Sequence, residues 1–297
     1  MRVLVAGAAG QLGRALAAAC PAGWELVAPP RAQFDVTDPA AAPRLLAETG
    51  AEVLVNAAAY TAVDRAETEP ALAERVNAVA AGALARAAAR AGARFVHVST
   101  DFVFDGTASS PIPPEAEPRP LGVYGWTKLK GEAAVRAAHA EALIVRTAWV
   151  HAARGQNFVR TMLRLMAERD EVRVVADQVG TPTHAASLAR AIFALLSARA
   201  TGVYHWTDAG VASWYDFAVA ISEEAAALGL LDRPVPVRPI RTEDYPTPAR
   251  RPAYAVLDKT RTWALVGPAH HWRVELRACL GEIAAAGAAG ERTAIPA

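Results

Sequence analysis

Through the first 150 residues, short unbroken apolar runs alternate with Ala-rich amphipathic stretches, and that alternation admits very few folds. RVLVAG (2–7) reads as a buried strand, QLGRALAAAC (11–20) as a helix and WELVA (24–28) as a strand. PAAAPRLLAET (39–49) reads as a helix with Asp38 as N-cap and Pro39 at its first position. EVLVNAAA (52–59) is a strand running into a loop, 70–91 one long helix, RFVHVST (94–100) a strand, 123–139 a helix and ALIVRTAWV (142–150) a strand. Strands apolar on both faces, separated by helices, imply a parallel sheet covered on both sides. The expected class is a doubly wound α/β fold.

Gly7, Gly10 and Gly13 form G-x-x-G-x-x-G between the first strand and the first helix. Such a turn uses glycine for tightness, for close approach of a pyrophosphate and for helix–strand packing, and the helix N-terminus then faces the phosphates. The alternative is three chance glycines in a turn. An acid at the end of the second strand binds the ribose of NAD, whereas an Arg accommodates a 2′-phosphate. Here the strand ends Ala28-Pro29-Pro30-Arg31. Arg31 therefore points to NADPH, with NADH possible, unless Arg31 is an ordinary surface residue. Asp35 and Val36 follow and can meet the adenine. Ala57, Ala58 and Ala59 end the third strand in small residues that leave room for the cofactor.

The second half is less regular. Helices fit 156–169, 185–198, 213–228 and 273–286, and VRVVADQVGTPT (172–183) is a strand and loop. Six prolines between Pro234 and Pro252 mark an irregular region. The expectation is a Rossmann-like dinucleotide-binding domain over 1–148, with segments near 170–200 returning to it. A smaller, irregular substrate lobe over 149–290 and a loose tail over 291–297 complete the division.

Tyr124 and Lys128 sit four apart on a predicted helix and so share one face. Six tyrosines and three lysines in 297 residues give roughly 0.06 accidental matches of that spacing. A lysine cation beside the phenol is expected to lower its pKa from about 10 toward neutrality, which suits a general acid for a ketone. Ser99 and Thr100 end a parallel strand, where open α/β sheets place ligands, and a hydroxyl there can hold the reacting carbonyl. Asn77 lies within the 70–91 helix, an unfavourable place for Asn.

Together these residues resemble the extended short-chain dehydrogenase/reductase superfamily, and in detail the dTDP-4-dehydrorhamnose reductase family. The resembling stretches are GAAGQLG (7–13), NAAAYTAVDRAETEP (56–70), STDFVFDG (99–106), YGWTKLKGE (124–132), RTAWV (146–150), DQVGTPT (177–183) and RRPAYAVLD (250–258). The resemblance implies a catalytic set of Thr100, Tyr124 and Lys128. It implies NADPH contacts at Gly7, Gly10, Gln11, Leu12, Asp35, Ala57, Ala59, Thr61, Tyr124 and Lys128. Thr100, Asp101 and Phe102 then face the substrate. Trp149 packs on the sugar or base, or is a core aromatic. Asn157, after Gln156, binds the diphosphate or caps the next helix. Two positions depart from the family pattern: Phe102 stands where Tyr is usual and Ala255 where Ser is usual, each removing a hydroxyl from the expected sugar side.

The implied activity is NADPH-dependent reduction of a dTDP-4-keto-6-deoxy-sugar. Two other readings compete. One is another nucleotide-sugar epimerase, ketoreductase or dehydratase of the superfamily, of which the dehydratases carry Thr-Asp-Glu where this chain has Thr100-Asp101-Phe102. The regulatory β subunit of methionine adenosyltransferase looks like this family without being an enzyme, but has Ser-Ser-Asp at that place.

Composition excludes other classes. Lys+Arg is 31 and Asp+Glu 30, so the net charge of +1 offers neither a nucleic-acid surface nor a polybasic membrane patch. Cys20 and Cys279 are the only cysteines, which fits a reducing compartment. Gln11 and Arg14 interrupt the N-terminal apolar stretch, so it does not read as a signal peptide. A cytoplasmic monomer or homodimer is expected. The seven histidines show no ligand spacing, the His270-His271 pair reads as surface, and the first helix has no acid before Cys20, so no metal is expected.

Overall fold

The computed structural model describes residues 1–293, with side chains through residue 286. The first half runs β1 (Arg2–Ala6), α1 (Gln11–Ala18), β2 (Glu25–Val27), α2 (Ala41–Thr49), β3 (Val53–Asn56), α3 (Val63–Ala66), α4 (Pro70–Glu74), a π-helical turn (Arg75–Val79), α5 (Ala80–Arg90), β4 (Arg94–Thr100), α6 (Val123–Ala138) and β5 (Leu143–Thr147). The second half continues with β6 (Val150–His151), α7 (Phe158–Glu168), β7 (Val172–Val175), β8 (Val179–Gly180), β9 (Thr183–His184), α8 (Ala185–Ser197) and β10 (Gly202–His205). It closes with β11 (Ala212–Ser213), α9 (Trp214–Ala227), β12 (Val237–Ile240), α10 (Thr260–Val266) and α11 (Trp272–Thr293). Residues 294–297 of the expected tail lie outside the described residues.

Six parallel strands form the main sheet in the order β10-β5-β4-β3-β1-β2. Val3, Leu4 and Val5 of β1 have no exposure, as befits a central strand with both faces covered. Helices α1 and α8 cover one face through Leu12, Leu16, Leu188 and Ile192. Helices α2, α5 and α6 cover the other through Leu45, Leu84, Ala88 and Val135. The chain leaves β1 toward β2 on one side and returns to β3 on the other. That reversal opens a crevice at the carboxyl ends of the strands, where doubly wound sheets take ligands. A separate core gathers Val159, Met162, Phe217, Ile221 and Leu276 from α7, α9 and α11.

Two local expectations are corrected. The second helix begins at Ala41, not Pro39, because Asp38 turns its carboxylate to the Ala40 N–H (3.0 Å) and forms an Asx turn instead of an N-cap. The 70–91 helix is interrupted by the π turn, in which Asn77 leaves the regular ladder. The Asn77 side chain accepts from the Tyr60 N–H (2.8 Å) and donates to the Tyr60 carbonyl (3.1 Å) and to Thr127 Oγ1 (3.0 Å). It ties the loop after β3 to α6.

Helix α6 lies close against the π turn and the turn after β4 because it presents glycine at both contacts. A Cβ at Gly131 would overlap the Asn77 carbonyl, and one at Gly125 would overlap the Phe102 carbonyl. A buried ion pair then sets the position of the helix. Glu132 is fully buried and takes both arms of Arg146 from β5, at 2.9 and 2.8 Å, plus the Ser99 hydroxyl at 2.5 Å. Ser99 and Arg146 are register partners on adjacent strands, so three elements meet on one carboxylate. Arg146→Met leaves that buried carboxylate with only the exposed Arg136, at 3.9 Å, as a countercharge. It is expected to lower stability by about 3–5 kcal/mol in urea denaturation, the usual cost of breaking such a pair from one side.

Candidate active site

A cleft of about 480 Å³ opens at the carboxyl ends of β1, β3, β4 and β5. Gly10, Gln11, Leu12, Ala57, Ala58, Ala59, Thr61, Thr100, Asp101, Phe102, Tyr124, Lys128 and Trp149 all line it. Gly7 lies beneath the loop. Its φ of +82° and a Cβ position 2.7 Å from the Ala58 nitrogen leave room only for glycine. A Cβ at Gly13 would overlap the Gly7 carbonyl, so this glycine permits the packing of helix on turn. Gly10 is the N-cap of α1 and no side chain caps it. A Cβ there would meet nothing closer than the Gly7 carbonyl at 3.2 Å and would otherwise fill the opening. Uncapped amides at a helix N-terminus, beside an open glycine cradle, fit the diphosphate of a dinucleotide.

The expected adenosine end lies outside that cleft. Arg31 is 85% exposed and reaches toward Asp35, at 3.9 Å. The Asp35 carboxylate accepts from the Thr37 N–H (2.9 Å) and hydroxyl (2.8 Å), which hold its pKa below the ordinary value. Val36 is half-buried and packs on the core under α2. Asn157 does not line the cleft either. It caps α7 by accepting from the Arg160 N–H (3.1 Å) and donates to Gln11 Oε1 (2.8 Å), so it braces the first residue of α1.

Thr100, Tyr124 and Lys128 come together at the end of β4 and the first turns of α6. The Thr100 hydroxyl donates to Asp101 Oδ1 (2.9 Å) and accepts from the Phe102 N–H (3.2 Å). Phe102 packs edge-on against Tyr124, with ring centroids 5.4 Å apart. The expected depression of the Tyr124 pKa is not found. Burial pushes it up to about 12, helped by the Asp101 charge and partly offset by the Thr100 hydroxyl. Lys128 does not act on the phenol because its amine is turned away. It donates to the Val98 carbonyl (2.7 Å) and approaches His97 Nε2 (3.4 Å), and burial pulls its pKa down to about 8. Ser99 is also removed from the expected pair of hydroxyls, since Glu132 takes it. The phenol therefore starts protonated, which is the form a general acid requires.

Trp149 stands at the mouth in the left-handed region, φ 49°. Its indole stacks on Trp214 at 3.6 Å and 9°, with Gly180 against its edge. Trp214 and Arg251 line the cleft and were not foreseen individually. Arg251 clamps Asp64 with two bonds of 3.0 and 2.8 Å, linking the C-terminal loop to α3. It falls inside the RRPAYAVLD stretch, whereas nothing in the sequence distinguished Trp214 from the other tryptophans. Ala255 is buried and is not among the residues lining the cleft.

The family model for the RmlD substrate binding domain matches residues 1–285. A dTDP-4-dehydrorhamnose reductase of Mycobacterium tuberculosis is 46% identical over 288 residues, covering 94% of this chain and 92% of that protein. Two solved dTDP-4-dehydrorhamnose reductases each cover 95% of this chain and 99% of their own. One, from Clostridium acetobutylicum, has a TM-score of 0.88 at 39% identity. The other, from Bacillus anthracis and in complex with NADP, has a TM-score of 0.89 at 34% identity.

Asp101 offers a test of the low polarity of this cleft. Burial pushes its carboxyl from 3.8 up to about 7, and Oδ2 has no partner. The folded protein thus binds this proton more tightly than the unfolded chain. The stability it contributes is full below pH 4 and is lost as pH rises to about 7. Asp101→Asn copies the protonated form. It should raise the thermal midpoint at pH 8, by up to about 4 kcal/mol of stability, and leave that at pH 4 unchanged. Asp208, pushed up to about 7 as well, leaves a residual slope in both proteins.

Proposed function

The chain belongs to the RmlD substrate binding domain family, and from that premise we propose that it reduces the C4 ketone of dTDP-4-dehydrorhamnose with NADPH to give dTDP-rhamnose. The observation that carries the reading is the convergence of Thr100, Tyr124 and Lys128 on one cleft with the uncapped N-terminus of α1. The Phe102 side chain at the dehydratase acid position keeps the reading to reduction, since water elimination needs a carboxylate there.

In this assignment Gly7, Gly10, Gln11 and Leu12 hold the diphosphate of the cofactor. Arg31, Asp35 and Val36 meet the adenosine end, Ala57, Ala58, Ala59 and Thr61 line its path, and Tyr124 and Lys128 hold the nicotinamide ribose. NADPH, when bound, supplies the hydride. Tyr124 gives its phenolic proton to the C4 oxygen, so the ketone becomes a secondary alcohol. The Thr100 hydroxyl, in contact with Tyr124, orients that oxygen as negative charge develops on it. Lys128, whose amine is turned from the phenol toward Val98 and His97, acts on the nicotinamide ribose as an ammonium. Asp101, Phe102 and Trp149 take the sugar side, and Asn157 acts through Gln11. The substrate lobe is assigned to 149–290 and the dinucleotide-binding domain to 1–148, supported by the separate core around Phe217.

Among the described residues no helix is long and apolar enough to cross a membrane. The unpaired Cys20 and Cys279 suit the reducing cytoplasm, where the protein is assigned as a monomer or homodimer.

The test is turnover of dTDP-4-dehydrorhamnose with NADPH, followed by the loss of reduced-nicotinamide absorbance and by NMR of the product sugar. Tyr124→Phe should lower kcat by about 10²–10⁴ while NADPH binding is retained. Arg31→Ala should lower kcat/KM for NADPH and leave that for NADH unchanged, because only the former carries the 2′-phosphate. Equal effects on both cofactors would remove Arg31 from the assignment.

A further inference from the structure

His97 lies on β4 with no exposure, directly across the ladder from Asn56 and behind Lys128. The hydrogen bonds around it determine where its proton sits. Asn56 Oδ1 accepts from the Ala58 N–H at 3.2 Å, which orients the amide and leaves Nδ2 as the donor toward His97 Nδ1, 3.2 Å away. The opposite orientation would set an NH₂ group against the Ala58 N–H. Nδ1 is therefore an acceptor, and a neutral ring carries its single proton on Nε2. Burial and the Lys128 charge hold the ring well below the usual histidine range, so it does not become a cation. The Nε2–H then points at Lys128 Nζ, 3.4 Å away.

Two donors face each other if Lys128 is an ammonium. A neutral amine would accept the Nε2–H with its lone pair. The bond from Nζ to the Val98 carbonyl is compatible with either state. Of the other charged groups around the amine, Glu132, one turn on along α6, favours the ammonium but does not outweigh burial, its carboxylate being shared with Arg146 from β5 and Ser99 from β4. Tyr124 on the same helix is a neutral phenol, and Asp101 after β4 is turned to Thr100.

We propose that His97 is a positioning residue that favours the neutral Lys128 amine through its Nε2–H and so sets the alkaline limit of turnover. The inference rests on the reductase reading, in which the ammonium form of Lys128 is the active one. His97 does not line the cleft and acts only through Lys128.

The pH profile of kcat/KM for His97→Gln tests this. The Gln side chain offers an amide oxygen to Lys128 in place of a donor, so the alkaline limb should move up by about one pH unit, a tenfold change in proton affinity. His97→Leu, which removes the donor without adding an acceptor, should move the limb less than Gln does. A limb that stays in place or moves down in His97→Gln overturns the proposal, as does a uniform loss of kcat at every pH. Long-range proton–nitrogen correlation spectra of the wild-type protein decide it independently of how the variants fold. They should show His97 protonated on Nε2 alone, and the other tautomer or a cationic ring overturns the proposal. If the wild-type protein does not reduce the sugar nucleotide, the reductase reading fails, while the spectra still report on His97.

Discussion

The Glu132–Arg146 pair is the contact on which the arrangement of the cleft depends. A carboxylate without solvent contact needs its countercharge and its hydrogen bonds supplied by the protein. Here they come from β4 through Ser99 and from β5 through Arg146. Glu132 lies one helical turn beyond Lys128 and two beyond Tyr124 on α6. Anchoring it to the sheet therefore sets the rotation of the helix and the height at which both side chains reach the crevice. The glycines at 125 and 131 let the same helix pack closely on the turn after β4 and on the π turn at Asn77.

Burial then determines the chemistry of the groups so placed. The same low-polarity surroundings push Tyr124 up to about 12 and Asp101 to about 7, and pull Lys128 down to about 8. All three shifts favour neutral forms, as desolvation requires. A cleft in this state holds a proton on the phenol ready for transfer. The i, i+4 spacing of Tyr124 and Lys128 places them on one face, but it does not determine where the amine points. Val98 and His97 claim it instead.

The mouth of the cleft is held by contacts between distant segments. Trp149 keeps a left-handed backbone, a conformation costing a large side chain about 1–2 kcal/mol, and the stack on Trp214 holds it there. On the other side Arg251 joins the C-terminal loop to Asp64 and α3. Neither contact is local, since the partners of each pair lie more than 60 positions apart in the chain.

Local pattern accounts for much of this molecule. Unbroken apolar strands such as Val3–Val5 required a sheet buried on both faces, and Gly7, Gly10 and Gly13 marked the turn that leaves a helix N-terminus open. These features depend on neighbours a few residues away, so the sequence alone determined them. The start of α2 and the break at Asn77 were decided by side-chain bonds, from Asp38 to its own turn and from Asn77 to Tyr60 and Thr127. The state of Tyr124, the direction of the Lys128 amine and the loss of Ser99 to Glu132 were settled only in three dimensions. Each depends on how much water is excluded and on which distant donor or acceptor arrives within about 3 Å, and spacing along a chain carries neither quantity.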